Sequence, residues 1–159
     1  MTATAVRIRY ATHELKAIVW RMKDVEELPE GFSRELKIGG PEDFVRQLGF
    51  LFADLSHERF VVALLTSSNR IQAIEIVSEG ILNASLVHPR EVFRPAIVGC
   101  AASVILAHNH PSGNPQPSAE DVSMTKQLVE AGKIVGIPVH DHIIFAGKAY
   151  TSFVEQNLI

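Results

Sequence analysis

The side chains whose identities and placement best suit chemistry fall in one run, His108-Asn-His-Pro-Ser-Gly-Asn-Pro-Gln-Pro-Ser-Ala-Glu-Asp121. The two histidines stand two residues apart, where the apolar stretch Val104 to Ala107 ends. Side chains at i and i+2 of a strand project to the same face, so His108 and His110 can grip one metal ion. Asp121 falls in the first turn of the helix after the loop and supplies a third ligand if that loop folds back. Pro111, Pro115 and Pro117 restrict the loop and lower the entropic cost of holding the ligands. Two imidazoles and one carboxylate form a borderline donor set that suits a single Zn²⁺ per chain, with the fourth position open as in catalytic rather than structural zinc sites.

An ordinary structural reading of the same residues stands beside this one. Ser118-x-x-Asp121 ahead of a helix is a capping box, in which the serine accepts from the backbone and the acid reaches back. The two readings are compatible, because a hydroxyl can accept one hydrogen bond and donate another. Hydrolytic chemistry also needs a carboxylate near the reacting water, and Glu58, Glu75, Glu79, Glu91 and Glu120 are the candidates. His140-Asp141-His142 is a second His-x-His with no third ligand at a fitting spacing. One of its histidines is expected to pack and the other to be exposed, and Asp141 or His142 could orient a ligating imidazole from behind. Arg90-Glu91 reads as a structural pair at a helix start, and Cys100 as a small core residue of an apolar helix. Trp20 with Arg21 and Lys23 is too little for a nucleic-acid stacking platform.

His-x-His, seven residues, then Ser-x-x-Asp is similar to the JAMM motif of JAB/MPN-domain metalloproteins. The longer string His108-Asn-His-Pro-Ser-Gly113, with Val87-His-Pro-Arg-Glu-Val-Phe93 before it and Asp141-His-Ile-Ile144 after it, resembles the RadC family within that group. The resemblance covers about residues 55–155. It implies a three-layer, cytidine-deaminase-like α/β (α+β) fold, a mixed sheet flanked by helices. It implies that His108, His110 and Asp121 ligate Zn²⁺, that Ser118 stabilises an oxyanion, and that an upstream glutamate acts as general base. JAMM proteins place that glutamate at the entrance to an apolar strand some fifty residues before the first histidine. Glu58 matches this context and Glu79 is the reserve. Peptide or isopeptide bonds are the substrate class the resemblance suggests. RadC proteins also carry a DNA-repair association, and JAB/MPN domains occur as non-catalytic scaffolds, against which the complete ligand set argues.

The elements that must position these residues are legible in the hydrophobic pattern. Arg59 to Thr66 is a nearly continuous apolar run, read as a strand buried on both faces. After a turn at Ser67–Arg70, Ile71 to Val77 returns as its hairpin partner, with Ile71, Ala73, Glu75 and Val77 on one face and Gln72, Ile74 and Ile76 on the other. Helices are expected from Pro41, with Phe44, Leu48, Leu51 and Phe52 as the apolar stripe; from Pro89 to about Ser103; and from Ser118 to a stop at Gly132. Val104–Ala107, Ile137–Phe145 and Ala149–Phe153 read as strands. Ahead of this core domain, about residues 41–159, lies an appendage over 1–40. It holds a short strand around Val6, Ile8 and Tyr10, a loose helix from Glu14 to Val25 with Leu15, Val19 and Met22 on one face, and a connection from Leu28 to Gly40.

Composition sets the outer limits. The 159 residues are 47% hydrophobic and 21% charged, the balance of an ordinary globule rather than a disordered chain. Fifteen basic against eighteen acidic residues leave −3, with no net attraction to DNA or to anionic membranes. The first forty residues lack a glycine-bearing helix-hairpin-helix, so direct nucleic-acid binding has little support. Cys100 is the only cysteine, which excludes an intrachain disulfide. Arg7, Arg9, His13, Glu14 and Lys16 interrupt any signal-peptide core, and no stretch approaches eighteen uncharged apolar residues. A cytoplasmic protein away from membranes is expected, with exposed strand edges compatible with a homodimer.

Overall fold

The computed structural model describes residues 9–10, 13–14, 32–33, 35–53, 55–80 and 87–159. Arg9–Tyr10 (β1) and His13–Glu14 (β2) pair antiparallel as a small ribbon. Glu14, expected to start a helix, pairs in β2 instead. The rest of that helix to Val25, Trp20, and the rest of the expected strand around Val6, Ile8 and Tyr10 lie outside the described residues.

The domain is organised around a five-stranded mixed sheet in the order β4-β3-β5-β6-β7. Its strands are Glu58–Leu65 (β3), Ile71–Gly80 (β4), Ser103–Asn109 (β5), Val139–Ala146 (β6) and Ala149–Ser152 (β7). β3–β4 and β6–β7 are antiparallel hairpins, β3 and β5 pair antiparallel, and β5 and β6 are parallel. A parallel pair needs a crossover, here the helix Ala119–Val135 (α3). Side chains alternate across the central strands, so each strand feeds two cores. Phe60, Val62, Leu64, Val104 and Leu106 face the helix Pro89–Val98 (α2) and α3, against Val92, Phe93, Met124 and Leu128. Val61, Ala63, Leu65, Ile105 and Ala107 face Phe44 and Leu48 of the helix Pro41–Leu48 (α1) and Phe52 of the 3₁₀ turn after it. Helices thus cover both faces, the expected three-layer α/β architecture. Among the described residues no helix is long and apolar enough to cross a membrane.

Four further local expectations are corrected. The hairpin strand β4 does not alternate strictly, because register shifts interrupt its pairing with β3 between Phe60 and Val61 and between Leu64 and Leu65. An extra residue at a bulge flips the facing of the residues beyond it. Ile71 therefore packs with Ile74 on the α1 side, while Ala73 and Val77 pack on the α2/α3 side. Helix α2 stops at Val98 instead of reaching Ser103, which begins β5. Cys100 is exposed with φ 51° rather than packed in a helix. Its N–H donates to the Ile97 carbonyl and that of Ala101 to Ala96, a Schellman closure whose left-handed position usually takes glycine.

Gly132 does not end α3, which runs on to Val135 and closes at Gly136, φ 78°. Gly132 is instead a point of close approach. A Cβ there would lie 2.6 Å from the Ile137 carbonyl oxygen and 3.2 Å from the Phe93 ring. Alanine has the better helix propensity, but the clash with backbone outweighs that gain of about 0.5–1 kcal/mol. Gly132→Ala is expected to destabilise the domain by about 1–3 kcal/mol in urea denaturation, through overpacking; an unchanged or raised midpoint would contradict this contact.

Candidate metal centre

The candidate ligands converge at the end of β5. His108 has the parity of Val104 and Leu106, points to the α2/α3 side and is fully buried. Its ring stacks on Phe60, the residue opposite it in the β3–β5 register. His110 lies just beyond the strand, where its N–H donates to the Phe145 carbonyl and so extends the pairing with β6. The loop turns back at once: the Gly113 N–H reaches the His110 carbonyl, with Gly113 at φ 75°, a conformation open to glycine without strain. Ser118 caps α3 in the expected capping box. Its Oγ accepts from the Asp121 N–H at 3.0 Å, and its N–H donates to Asp121 Oδ2 at 2.8 Å. Capping fixes the Asp121 carboxylate in place and aims it at the histidines. His108 Nε2 lies 3.3 Å from Oδ1, and His110 Nε2 lies 3.4 Å from Oδ2.

The hydrogen-bond chemistry fits a cation. His110 Nδ1 faces the Asn114 carbonyl at 2.8 Å; a carbonyl only accepts, so Nδ1 carries the proton and Nε2 presents a lone pair. That Nε2 is 3.0 Å from His108 Nε2. One donor atom from each of His108, His110 and Asp121 lies within 4.8 Å of the others. Lone pairs and carboxylate oxygens gathered this closely need a positive charge among them, either a proton or a metal ion.

The electrostatics agree. Burial by itself would raise the Asp121 carboxyl, but the imidazoles of His108 and His110 beside it outweigh burial and hold the group well below the ordinary carboxylate range. His110 is shifted upward, chiefly by its hydrogen bond with Asp121, and burial opposes this only in part. Metal uptake must therefore expel the His110 proton. Apparent metal affinity is expected to be flat above the raised pKa and to fall by roughly tenfold per pH unit below it. A chelator-competition titration between about pH 5.5 and 8.5 checks this; affinity that does not change over that range would exclude His110 as a ligand.

A family model for the RadC-like JAB domain matches residues 38–158. The chain belongs to this family. Its relatives include UPF0758 proteins from Alkaliphilus oremlandii, 52% identical over 77% of this chain and 53% of that one, and from Caldanaerobacter subterraneus, 55% identical over 75% and 51%. A UPF0758 protein of Symbiobacterium thermophilum is 49% identical over 79% of this chain and 54% of its own. The chain thus spans about half the length of the curated relatives it matches.

Within the RadC-like domain, the two leading glutamates separate clearly. Glu58 opens β3 and is half-buried. Phe60 pairs with His108, so the register continued by two residues sets Glu58 opposite His110 and on the same face. Its charge contributes to the upward shift of His110. Glu79 is exposed and its carboxylate is taken by Arg59 and His57, with Arg59 also bonded to the Leu51 carbonyl on the α1 side. Of the other candidates, Glu75 and Glu120 are exposed, and Glu91 pairs with Arg90 and Arg94 at the start of α2.

Two residues around the RadC-like centre, Asn109 and Thr125, carry no role readable from spacing, while His142 stands where a residue orienting a ligating imidazole is expected. Asn109 donates to the His57 carbonyl at 2.9 Å and accepts from the Arg59 N–H at 2.8 Å, bracketing Glu58 with one amide. His142 is fully buried and His140 is exposed, as expected of that pair. His142 Nε2 lies 2.8 Å from His108 Nδ1, and its Nδ1 lies 2.6 Å from Thr125 Oγ. Thr125 stands one helical turn after Asp121, the one available sequence signal that it shares that face. Asp141 does not reach the cluster. It accepts from Ser152 Oγ and from the Val154 N–H, tying the turn after β7 to β6.

Proposed function

We propose that this domain is a zinc-dependent hydrolase of peptide or isopeptide bonds, with His108, His110 and Asp121 as the ligands of one Zn²⁺. The observation that carries this reading is the facing of two imidazole lone pairs and a capped carboxylate across one small space, with Glu58 on the neighbouring strand. Zinc in that space supplies Lewis-acid polarisation of a carbonyl and water of lowered pKa. Glu58 then takes a proton from the attacking water and returns it to the leaving amine, a role that asks for a carboxylate open to solvent on one side and held on the other. The half-burial of Glu58 and its bracketing by Asn109 support that role. Ser118, exposed at the helix start, donates its Oγ–H to Asp121 Oδ2 at 2.6 Å; turned outward, the same hydroxyl can donate to the developing oxyanion.

The test joins metal content to turnover. Elemental analysis of tag-free protein is expected to find about one zinc per chain. A series of peptide and isopeptide amides should include at least one that is cleaved, with activity lost on chelation and restored by zinc. Zinc binding without cleavage of any amide would favour the scaffold reading. No zinc after reconstitution at neutral pH would return the three ligands to loop and capping duties.

A further inference from the structure

Behind the ligands runs a hydrogen-bonded chain whose direction can be worked out from its two ends. Thr125 Oγ lies 2.6 Å from the backbone carbonyl of Asp121 and 2.6 Å from His142 Nδ1. A threonine hydroxyl has one proton, and a carbonyl only accepts. Both contacts are satisfied only if Thr125 donates to the carbonyl and His142 donates from Nδ1 to Thr125. His142 is fully buried between the Phe60 and Phe153 rings, which offer no counter-charge to a cationic ring. With its single proton on Nδ1, its Nε2 must accept, so His108 donates from Nδ1. The Nε2 of His108 is then a bare lone pair aimed at Asp121 and His110.

We infer that Thr125 and His142 are positioning residues that hold His108 in the tautomer able to ligate metal. The chain begins at the backbone of one ligand, Asp121, and ends on the ring of another, His108. It therefore couples the helix start to the strand end, and its default state is ready for metal without a tautomer change. This rests on the metal-site reading proposed above, and the test separates the two.

The variants are Thr125→Val, which keeps shape and removes the hydroxyl, Thr125→Ser, which keeps the hydroxyl, and His142→Phe, which keeps an aromatic ring between Phe60 and Phe153. Zinc dissociation constants are measured by chelator competition on the full chain, with thermal unfolding of the metal-free protein as the control for packing. Loss of a partner behind a ligating histidine typically weakens metal binding by roughly 10–100-fold. Losses in that range are expected for Thr125→Val and His142→Phe, with Thr125→Ser within about threefold of wild type. In parallel, ¹⁵N NMR of the metal-free imidazoles is expected to place the His108 proton on Nδ1 in wild type and Thr125→Ser, and to find mixed tautomers in Thr125→Val. Wild-type affinity in Thr125→Val, or equal losses in the valine and serine variants, would overturn the inference and leave the metal site standing. A wild-type chain that binds no zinc would overturn the metal-site reading, while the NMR result still decides the tautomer.

Discussion

Glu58→Gln is expected to leave folding and zinc content unchanged while turnover of any cleaved amide falls by about 10²–10⁴-fold, the usual contribution of a positioned general base. Glutamine has nearly the same shape and can be bracketed by Asn109 in the same way, since Asn109 bonds to the peptide groups of His57 and Arg59 and not to the carboxylate. What it cannot do is take a proton. Glu79→Gln is the matched control. It removes a carboxylate engaged by Arg59 and His57 at the sheet surface, where solvent screens such pairs, so turnover should stay close to wild type. Full activity in Glu58→Gln, or a collapse in Glu79→Gln, would reverse the assignment. A drop in kcat with KM unchanged is the signature sought, because the loss is confined to the transition state.

Asp121→Ala should take zinc content from about one per chain to none and abolish hydrolysis, since two imidazoles alone rarely retain zinc. This variant also removes half of the capping box, leaving the Ser118 N–H without its acceptor, and should cost the metal-free protein about 0.5–2 kcal/mol. Asp121→Asn separates the two effects: the amide oxygen still accepts from the backbone, but it is a poor zinc ligand. The pH dependence of the stability difference has a definite sign. The depressed Asp121 carboxyl contributes stability that is present above the ordinary carboxylate pKa and is lost as pH falls through the folded value. The raised His110 contributes stability that is present below the ordinary imidazole pKa and is lost as pH rises through its folded value. The gap between wild type and Asp121→Ala should therefore be widest at mildly acidic pH and narrow on either side. Equal zinc content in the two proteins would remove Asp121 from the ligand set.

The candidate ligand cluster is legible in the sequence because its three members fall within one short run, where local rules govern: alternation along a strand and capping at a helix start. The buried strands were legible for the same reason, as continuous apolar runs need no knowledge of their neighbours. Misreadings arose wherever a distant contact decided the local structure. Gly132 looks like a helix stop until Phe93 and Ile137 are placed against it. Cys100 looks like core until the Schellman closure turns it outward. The facing of Ile71 depends on bulges that belong to a pairing rather than to either strand. His142 is a sequence candidate to orient a ligating imidazole, but the histidine it meets, His108 across 34 residues, and its partner Thr125, across 17, lie at separations where periodicity carries no information. Asn109 sat inside the recognised motif, but its role depends on the peptide groups of a strand 50 residues earlier.

The strand order has a kinetic consequence. The hairpins β3–β4 and β6–β7 close through short turns, and such units form within microseconds. The centre needs the pairings between them, β3 with β5 and β5 with β6, which close long loops and pay their entropy late. Glu58, His108, Asp121 and His142 sit on four different elements, so no early hairpin contains the complete centre. Zinc added to the unfolded chain should leave the folding rate almost unchanged and slow unfolding instead, acting as a latch on the finished domain rather than as a nucleus for it.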